Sequence, residues 1–244
     1  MARLGSSRRP PFTALVSVLS NDHRQLEKTG ELTVQQWTSP RAPDARQYAP
    51  AAERNAGPIL TVLGPHLPPV GTILEIGSGT GQHVIAFAAA QLNLSWLPSD
   101  PDPAARASID SWTAAANLAN VRAPLDIDVT AEDWARSLDR PLQGVVCINL
   151  LHIAPWAACA GLMAGAGRLL ERGAPLYIYG PFKQGGRHTA PSNVQFDRYL
   201  RMYDPAWGVR DLEAVVGCAA DHGLDFIGQE AMPANNLSVI LRRR

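Results

Sequence analysis

Leu74-Glu75-Ile76-Gly77-Ser78-Gly79-Thr80-Gly81-Gln82 is the stretch from which the fold is read. Residues 72–76 form a short apolar run with β-branched members, the pattern of a buried strand. Residues 82–91 after it are alanine-rich and helical in character. Three glycines at alternate positions between strand and helix let the backbone take positive φ and pass close to a ligand. The spacing is G-x-G-x-G. A dinucleotide fingerprint, G-x-G-x-x-G, needs glycine where Gln82 stands. No lysine follows the loop, which excludes a phosphate-cradling P-loop. Glu75, just before the glycines, repels a pyrophosphate and suits a cationic amino-acid group.

Outward from this stretch the chain alternates strand and helix signals. Helices are expected at 51–63, 82–91, 103–116, 157–170 and 209–222, with a short one around Trp134 that Thr130 and Asp133 signal as a cap. Strands are expected at 72–76, 94–98, 124–129, 144–150, 174–179, 224–230 and 237–242, with a hairpin turn at 232–236. Such alternation means a parallel sheet with right-handed crossovers. The expected fold is α/β: a doubly wound, mostly parallel, seven-stranded Rossmann-like sheet with a C-terminal antiparallel strand pair. Residues 183–207, polar and aromatic, read as a long segment after the fifth strand. Residues 1–46, punctuated by prolines, read as a partly ordered N-terminal arm with a helix at 12–27, or else as a disordered tail. Residues 47–244 read as the domain.

Composition narrows the function. The chain has 244 residues, 46% apolar and 18% charged, with 22 basic and 22 acidic side chains. That is enough for a core without staples, and a net charge of zero gives no pull on polyanions, so no nucleic-acid partner is expected. Three cysteines, Cys147, Cys159 and Cys218, form no CxxC pair or Cys/His cluster, so neither a disulfide framework nor a metal site is expected. No run approaches the roughly 18–20 apolar residues of a membrane span. The apolar run after Arg8-Arg9 is short, and Asn21-Asp22-His23 follows it where small residues mark signal cleavage. A cytoplasmic protein without a membrane partner, monomeric or homodimeric, is expected.

Two acids extend the loop reading. Asp100 ends the second strand 19 residues after Gly81, where a carboxylate can accept from both hydroxyls of a ribose. Its plainer role is the cap of the helix after Pro103. Asp128, with Val129 beside it, ends the third strand and can accept from an adenine amino group. Asp126 competes for that role, and an ordinary loop aspartate is the alternative. Glycine loop, ribose acid and adenine acid in this order indicate S-adenosylmethionine binding, with S-adenosylhomocysteine as product.

The chain from about Tyr48 to Arg244 resembles the family catalogued as domain of unknown function 938, which includes methyltransferase-like protein 26. The residues that carry it are Ala51-Ala52-Glu53-Arg54-Asn55, the glycine loop to His83, Pro98-Ser99-Asp100-Pro101-Asp102-Pro103, residues 148–156 and Tyr179-Gly180-Pro181-Phe182. Gly186-Arg187-His188-Thr189-Ala190-Pro191-Ser192-Asn193, residues 204–211 and 232–238 continue it. The resemblance implies a class I methyltransferase fold and gives no substrate.

Candidate site residues follow. Gly77, Gly79, Gly81, Glu75, Asp100, Asp128 and Val129 are expected at the cofactor, with Arg54 and Asn55 approaching its carboxylate from the preceding helix. A surface salt bridge is the alternative for those two. The fourth strand ends in Asn149-Leu150-Leu151-His152. There Asn149 is expected to hold the cofactor amino group or orient an acceptor. His152 is expected to take a proton from the acceptor, with a rate falling below about pH 6.5, or else only to orient Trp156 or cap a helix. Trp156, Tyr179, Phe182, Arg187, His188, Asn193 and Asn235 are expected to shape a small-molecule acceptor pocket, against the alternative of a solvated loop. The reading is a small-molecule methyltransferase; the competitors are a non-catalytic cofactor-binding partner or regulatory subunit and a nicotinamide oxidoreductase.

Overall fold

A computed structural model describes residues 45–138 and 141–244. The arm expected over 1–46, except Ala45 and Arg46, lies outside the described residues, as does the helix expected at 12–27.

Helix α1 (Pro50–Leu63) leads into strand β1 (Gly71–Ile76), the glycine loop and helix α2 (Gln82–Ala90). Strand β2 (Leu94–Ser99) and helix α3 (Pro103–Ala116) complete the first half. Strand β3 (Gly144–Ile148), helix α4 (Trp156–Leu169) and strand β4 (Pro175–Gly180) follow. Two short strands, β5 (Phe182–Gln184) and β6 (Arg187–His188), precede helix α5 (Pro191–Tyr203). Strand β7 (Arg210–Asp211), helix α6 (Leu212–Asp221) and strands β8 (Leu224–Met232) and β9 (Asn236–Arg243) close the chain.

The main sheet has the order β2-β1-β3-β4-β9-β8, and β6-β5-β7 forms a small second sheet. Strands β1 to β4 pair in parallel; β9 runs antiparallel between β4 and β8. Alternate strand residues feed two cores, as a sheet covered on both faces requires. Leu74, Ile76, Val145, Cys147, Leu176 and Ile178 pack with α4 and α6, while Ile73, Val146, Ile148 and Tyr177 pack with α1 and α2. The chain leaves β1 toward one edge and returns as β3 on its other side. That switch point, at the carboxyl ends of β1 and β3, is where open α/β sheets bind ligands.

The strand expected at 124–129 is corrected. Only two isolated parallel bridges form beside β2, Trp96 to Val121 and Ser99 to Leu125. Trp96 N donates to Asn120 O and Asp100 N to Leu125 O. The intermediate donor on that edge would be Pro98, which has no N–H, so the ladder cannot run continuously and the described sheet has six strands. A second correction is α5, which falls within the segment read as a polar stretch.

Helix α4 packs through its glycines. A Cβ at Gly161 would stand 1.8 Å from the Val129 carbonyl oxygen, and one at Gly165 1.9 Å from the Trp134 ring. Gly161→Ala is therefore expected to lose about 1–3 kcal/mol, the usual cost of overpacking, although alanine is the better helix former by about 1 kcal/mol. Gly217→Ala on α6, where a Cβ meets nothing within 4 Å, is expected to gain up to about 1 kcal/mol. Urea midpoints of the two variants measure both; equal shifts would refute the packing argument.

Candidate functional site

The glycine loop leaves β1 with Gly77, Gly79 and Gly81 at φ 69°, 54° and 88°. Gly81 needs its lack of a side chain, because a Cβ would press within 3.0 Å of the Ile109 Cα on α3. Gly79 differs: a Cβ there meets nothing within 4 Å, so its bare backbone faces open space. Ser78 N donates to Ser99 O at 2.8 Å, tying the loop to the end of β2.

Glu75 sits under this loop, 1% exposed. Its Oε2 has no hydrogen-bond partner among the described residues. Burial, with only the Ser78 hydroxyl in opposition, pushes its pKa up to about 8. An uncompensated buried carboxyl next to an open cradle is a place for a cationic group.

Asp100 closes the loop from the other side. Its Oδ2 accepts from Gly79 N and its Oδ1 from Asp102 N, both at 2.9 Å. The helix cap that the sequence offered Asp100 belongs to Asp102, whose Oδ1 accepts from Ala104 N at 2.9 Å. Asp100 is 0% exposed, so in this conformation it holds the glycine loop instead of meeting solvent. Burial raises its pKa to about 6 against those two N–H donors.

Asp128 is exposed and folds a turn of its own, its Oδ1 accepting from Thr130 N at 2.8 Å and Thr130 Oγ1 at 2.7 Å. That bond takes Thr130 from the cap expected for the short helix at Trp134. Asp126 points elsewhere, in an ion pair with Arg106 at 3.1 Å. Val129 is buried, its carbonyl against Gly161.

At the carboxyl ends of β3 and β4 the expected acceptor residues partly converge. Asn149 has a left-handed backbone, φ 59°, uncommon for a side-chain-bearing residue, and its N–H donates to Tyr179 O at 2.8 Å. His152 is 4% exposed, with its ring edge-on to Phe196 at 5.3 Å. Gly180 makes room for it: a Cβ there would stand 3.1 Å from His152 Nδ1 and 3.6 Å from Asn149 Oδ1. Burial, then the charge of Arg210, holds the His152 pKa down to about 3. A histidine held that low is already neutral near pH 6.5, so it would not itself set the acid limb expected there. Tyr179 is buried, and the side chains of Asn55 and Asn236 hydrogen-bond its hydroxyl. Asn55 also accepts from His83 Nε2 at 2.6 Å. Burial keeps His83 neutral, its pKa lowered to about 4.

Phe182, expected to shape the pocket, is 2% exposed and packs in the core with α4 and α6. Arg187 and Arg54 are exposed, and Trp156 is 40% exposed at the start of α4. His188 pairs with Asp197 at 3.3 Å. Asn193 donates to Asn235 O at 3.0 Å, and Asn235 Nδ2 donates to Ser192 Oγ at 3.0 Å. These two asparagines fasten α5 to the turn between β8 and β9.

The sequence did not single out Arg210, the group that fixes the His152 loop. Its Nε donates to Leu151 O at 2.9 Å, and its Nη2 donates to Ala154 O and, at 2.8 Å, to Ala206 O. Asp197 was missed as well. It accepts from Val209 N at 2.7 Å and pairs with Lys183, His188 and Arg201 at 3.3–3.4 Å.

The family described as "Protein of unknown function (DUF938)" matches residues 46–243. The chain belongs to that family. This family member is similar in structure to an O-methyltransferase family protein from Burkholderia thailandensis, at 16% identity over 79% of this chain and 59% of that one, with a TM-score of 0.64. It is also similar to the mitomycin 7-O-methyltransferase MmcR, at 14% identity over 80% and 55% of the chains, with a TM-score of 0.68. A third is CalO1, a methyltransferase in calicheamicin biosynthesis in its SAH-bound form, at 12% identity over 80% and 56%, with a TM-score of 0.61. The chain spans 55–59% of the length of these structures. They establish its fold as that of the Rossmann-like class I methyltransferases. Among the described residues no helix is long and apolar enough to cross a membrane, and no group of His, Cys, Asp or Glu is placed to hold a metal ion.

Proposed function

We propose that this chain is an S-adenosylmethionine-dependent methyltransferase acting on a small-molecule acceptor. The observation that carries the reading is Glu75: a buried carboxyl with an unpartnered oxygen beneath a glycine loop whose Gly79 faces open space. A cofactor with an α-ammonium group and a nucleoside fits that pairing, and a pyrophosphate does not. When bound, its sulfonium supplies an electrophilic methyl group.

The chain's own residues do the rest. Gly79 leaves room for the cofactor, Asp100 keeps the loop in place, and Glu75 receives the ammonium. Asn149 and His152 present neutral hydrogen-bonding groups to the acceptor. Orientation of this kind can supply roughly 7–11 kcal/mol of the barrier. The protein works in the cytoplasm, as monomer or homodimer, without nucleic-acid or membrane partners. Methyl-labelled cofactor incubated with cell extract and the chain tests the proposal by the appearance of a labelled small molecule. Cofactor binding without any labelled product would leave a binding partner or regulatory subunit.

Glu75 gives a pH signature. Its folded pKa lies above its unfolded value, so the folded state holds a proton that the unfolded state releases. Stability of the free protein is therefore expected to fall as pH rises from about 4.5 to about 8, by at most about 1.4 kcal/mol per pH unit. Pairing with an ammonium favours the carboxylate, so cofactor binding at pH 7 releases up to one proton. Calorimetry in two buffers of different ionisation enthalpy reads the release, and Glu75→Gln is expected to abolish it. Identical heats in both buffers for the unaltered protein would remove Glu75 from the site.

His152→Gln keeps a neutral hydrogen-bonding side chain at the acceptor. It is expected to retain turnover within about tenfold, the scale of one neutral hydrogen bond, with an unchanged pH profile between 5 and 8. A loss of a hundredfold or more would restore His152 as a base.

A further inference from the structure

The end of the sheet where an acceptor meets the cofactor has a consistent chemistry. The polar side chains there are Asn149 and His152, both beside Gly180, while Tyr179 with Asn55, Asn236 and His83 forms a second polar set on the other face of the strand. All are neutral. Phe196 from α5 covers the His152 ring, and among the described residues no carboxylate hydrogen-bonds to it. The carboxylates of this region are engaged: Glu75 by the cofactor ammonium in the reading above, Asp100 by the loop, Asp197 by Val209 N–H, Lys183, His188 and Arg201, and Asp211 by Gly186 N and Ala214 N. The charged group under the His152 loop is the Arg210 guanidinium, bound to the carbonyls of Leu151 and Ala154 on either side of it.

Such a site has no carboxylate-backed imidazole to take a proton from an aliphatic alcohol. The charge beside the His152 loop is that of Arg210, which opposes an ammonium and favours an anion. Resting on the methyltransferase reading above, we infer that the acceptor is a small molecule with an acidic O–H or S–H, a phenol or thiol, that enters with its nucleophile already ionised. The new bond joins that oxygen or sulfur to the methyl carbon, while the carbon–sulfonium bond breaks and its electron pair stays on sulfur. The acceptor's proton has gone to solvent beforehand, so no protein group has to hold it.

Two measurements on the full chain decide this, with 4-nitrophenol and 4-nitrothiophenol as acidic probes and 4-nitrobenzyl alcohol and 4-nitrobenzylamine as controls. First, titrating the protein with S-adenosylhomocysteine into 4-nitrophenol, one pH unit below the probe's own pKa, is expected to increase the nitrophenolate absorbance. The probe's apparent pKa is expected to fall by about one unit, and Arg210→Met is expected to shrink that shift. Second, labelled methyl transfer is expected to favour the phenol or thiol over both controls by at least a hundredfold. The acid limb of the rate is expected to move with each acceptor's own pKa.

A bleached nitrophenolate band, labelling of the alcohol or amine at comparable rates, or an acid limb fixed across acceptors and lost in His152→Gln would each overturn the inference while leaving the methyltransferase reading intact. A shifted band with no labelled product from any probe or from cell extract would instead overturn the methyltransferase reading and leave an anion-selective pocket. Neither band nor product would sink both.

Discussion

Asp100→Ala is expected to weaken S-adenosylmethionine binding by tenfold to more than a hundredfold. The carboxylate accepts from Gly79 N and Asp102 N, both at 2.9 Å. Hydrogen bonds to charged groups contribute about 1.5–3 kcal/mol each, and every 1.4 kcal/mol is roughly tenfold in affinity. Removing the acceptor frees Gly79 from its φ of 54° and leaves two N–H groups to find water in a buried site. The loss arises whether Asp100 reaches the ribose or only shapes the loop. Asp100→Asn separates the two: its amide oxygen can still receive Gly79 N–H, but its amide nitrogen faces a second N–H donor. Calorimetric affinity on variants with an intact cooperative unfolding transition is the measurement. An unchanged dissociation constant for Asp100→Ala would show that the loop keeps its shape without the tether.

Arg210→Ala is the second large effect, and it acts on turnover. One guanidinium satisfies the carbonyls of Leu151, Ala154 and Ala206. These bracket His152, whose own carbonyl accepts from Gly208 N at 3.0 Å. Without Arg210 the β3–α4 loop loses its fixed path, and a misplacement of about 1 Å at a reacting group can cost a hundredfold in rate. Stability is also expected to drop by about 1–3 kcal/mol for each buried carbonyl left unpaired. The split between constants distinguishes positioning from general damage: kcat is expected to fall about a hundredfold while cofactor affinity stays within a few-fold, because the glycine loop is anchored separately by Asp100 and Ser99. Arg210→Lys, which can reach only part of the three-carbonyl set, is expected to lie between. A loss of cofactor affinity as large as the loss of kcat would refute a positioning role.

The pocket residues divide by how their signal is written in the chain. The glycine loop and Asp100 are local: alternate glycines at a strand end, and an acid one strand later, have few other uses. The asparagines at 193 and 235, expected at the pocket, bond each other's elements. A short amide side chain in a turn reads the same in sequence whether it meets a ligand or a neighbouring backbone.

By itself the sequence determined the alternation of buried strands and helices, the glycine loop between the first strand and its helix, and the placement of Glu75 and Asp100 at strand ends. Strand and helix periods and turn glycines are short-range properties. It could not show that the ladder beside β2 would break, because Pro98 disrupts it only through pairing with a segment more than twenty residues away. It hid α5, because Asn193 and Asp197 occupy two of the three buried positions on that helix and erase the apolar period, leaving Leu200 alone. Only the tertiary structure decided that Asp197 is met by Lys183 from β5, His188 from β6 and Arg201 from its own helix, that Arg210 clasps the His152 loop, and that His152 lies in a site where burial and that arginine lower its pKa. Burial and the approach of distant charges set proton affinity, and neither is written in any local stretch of the chain.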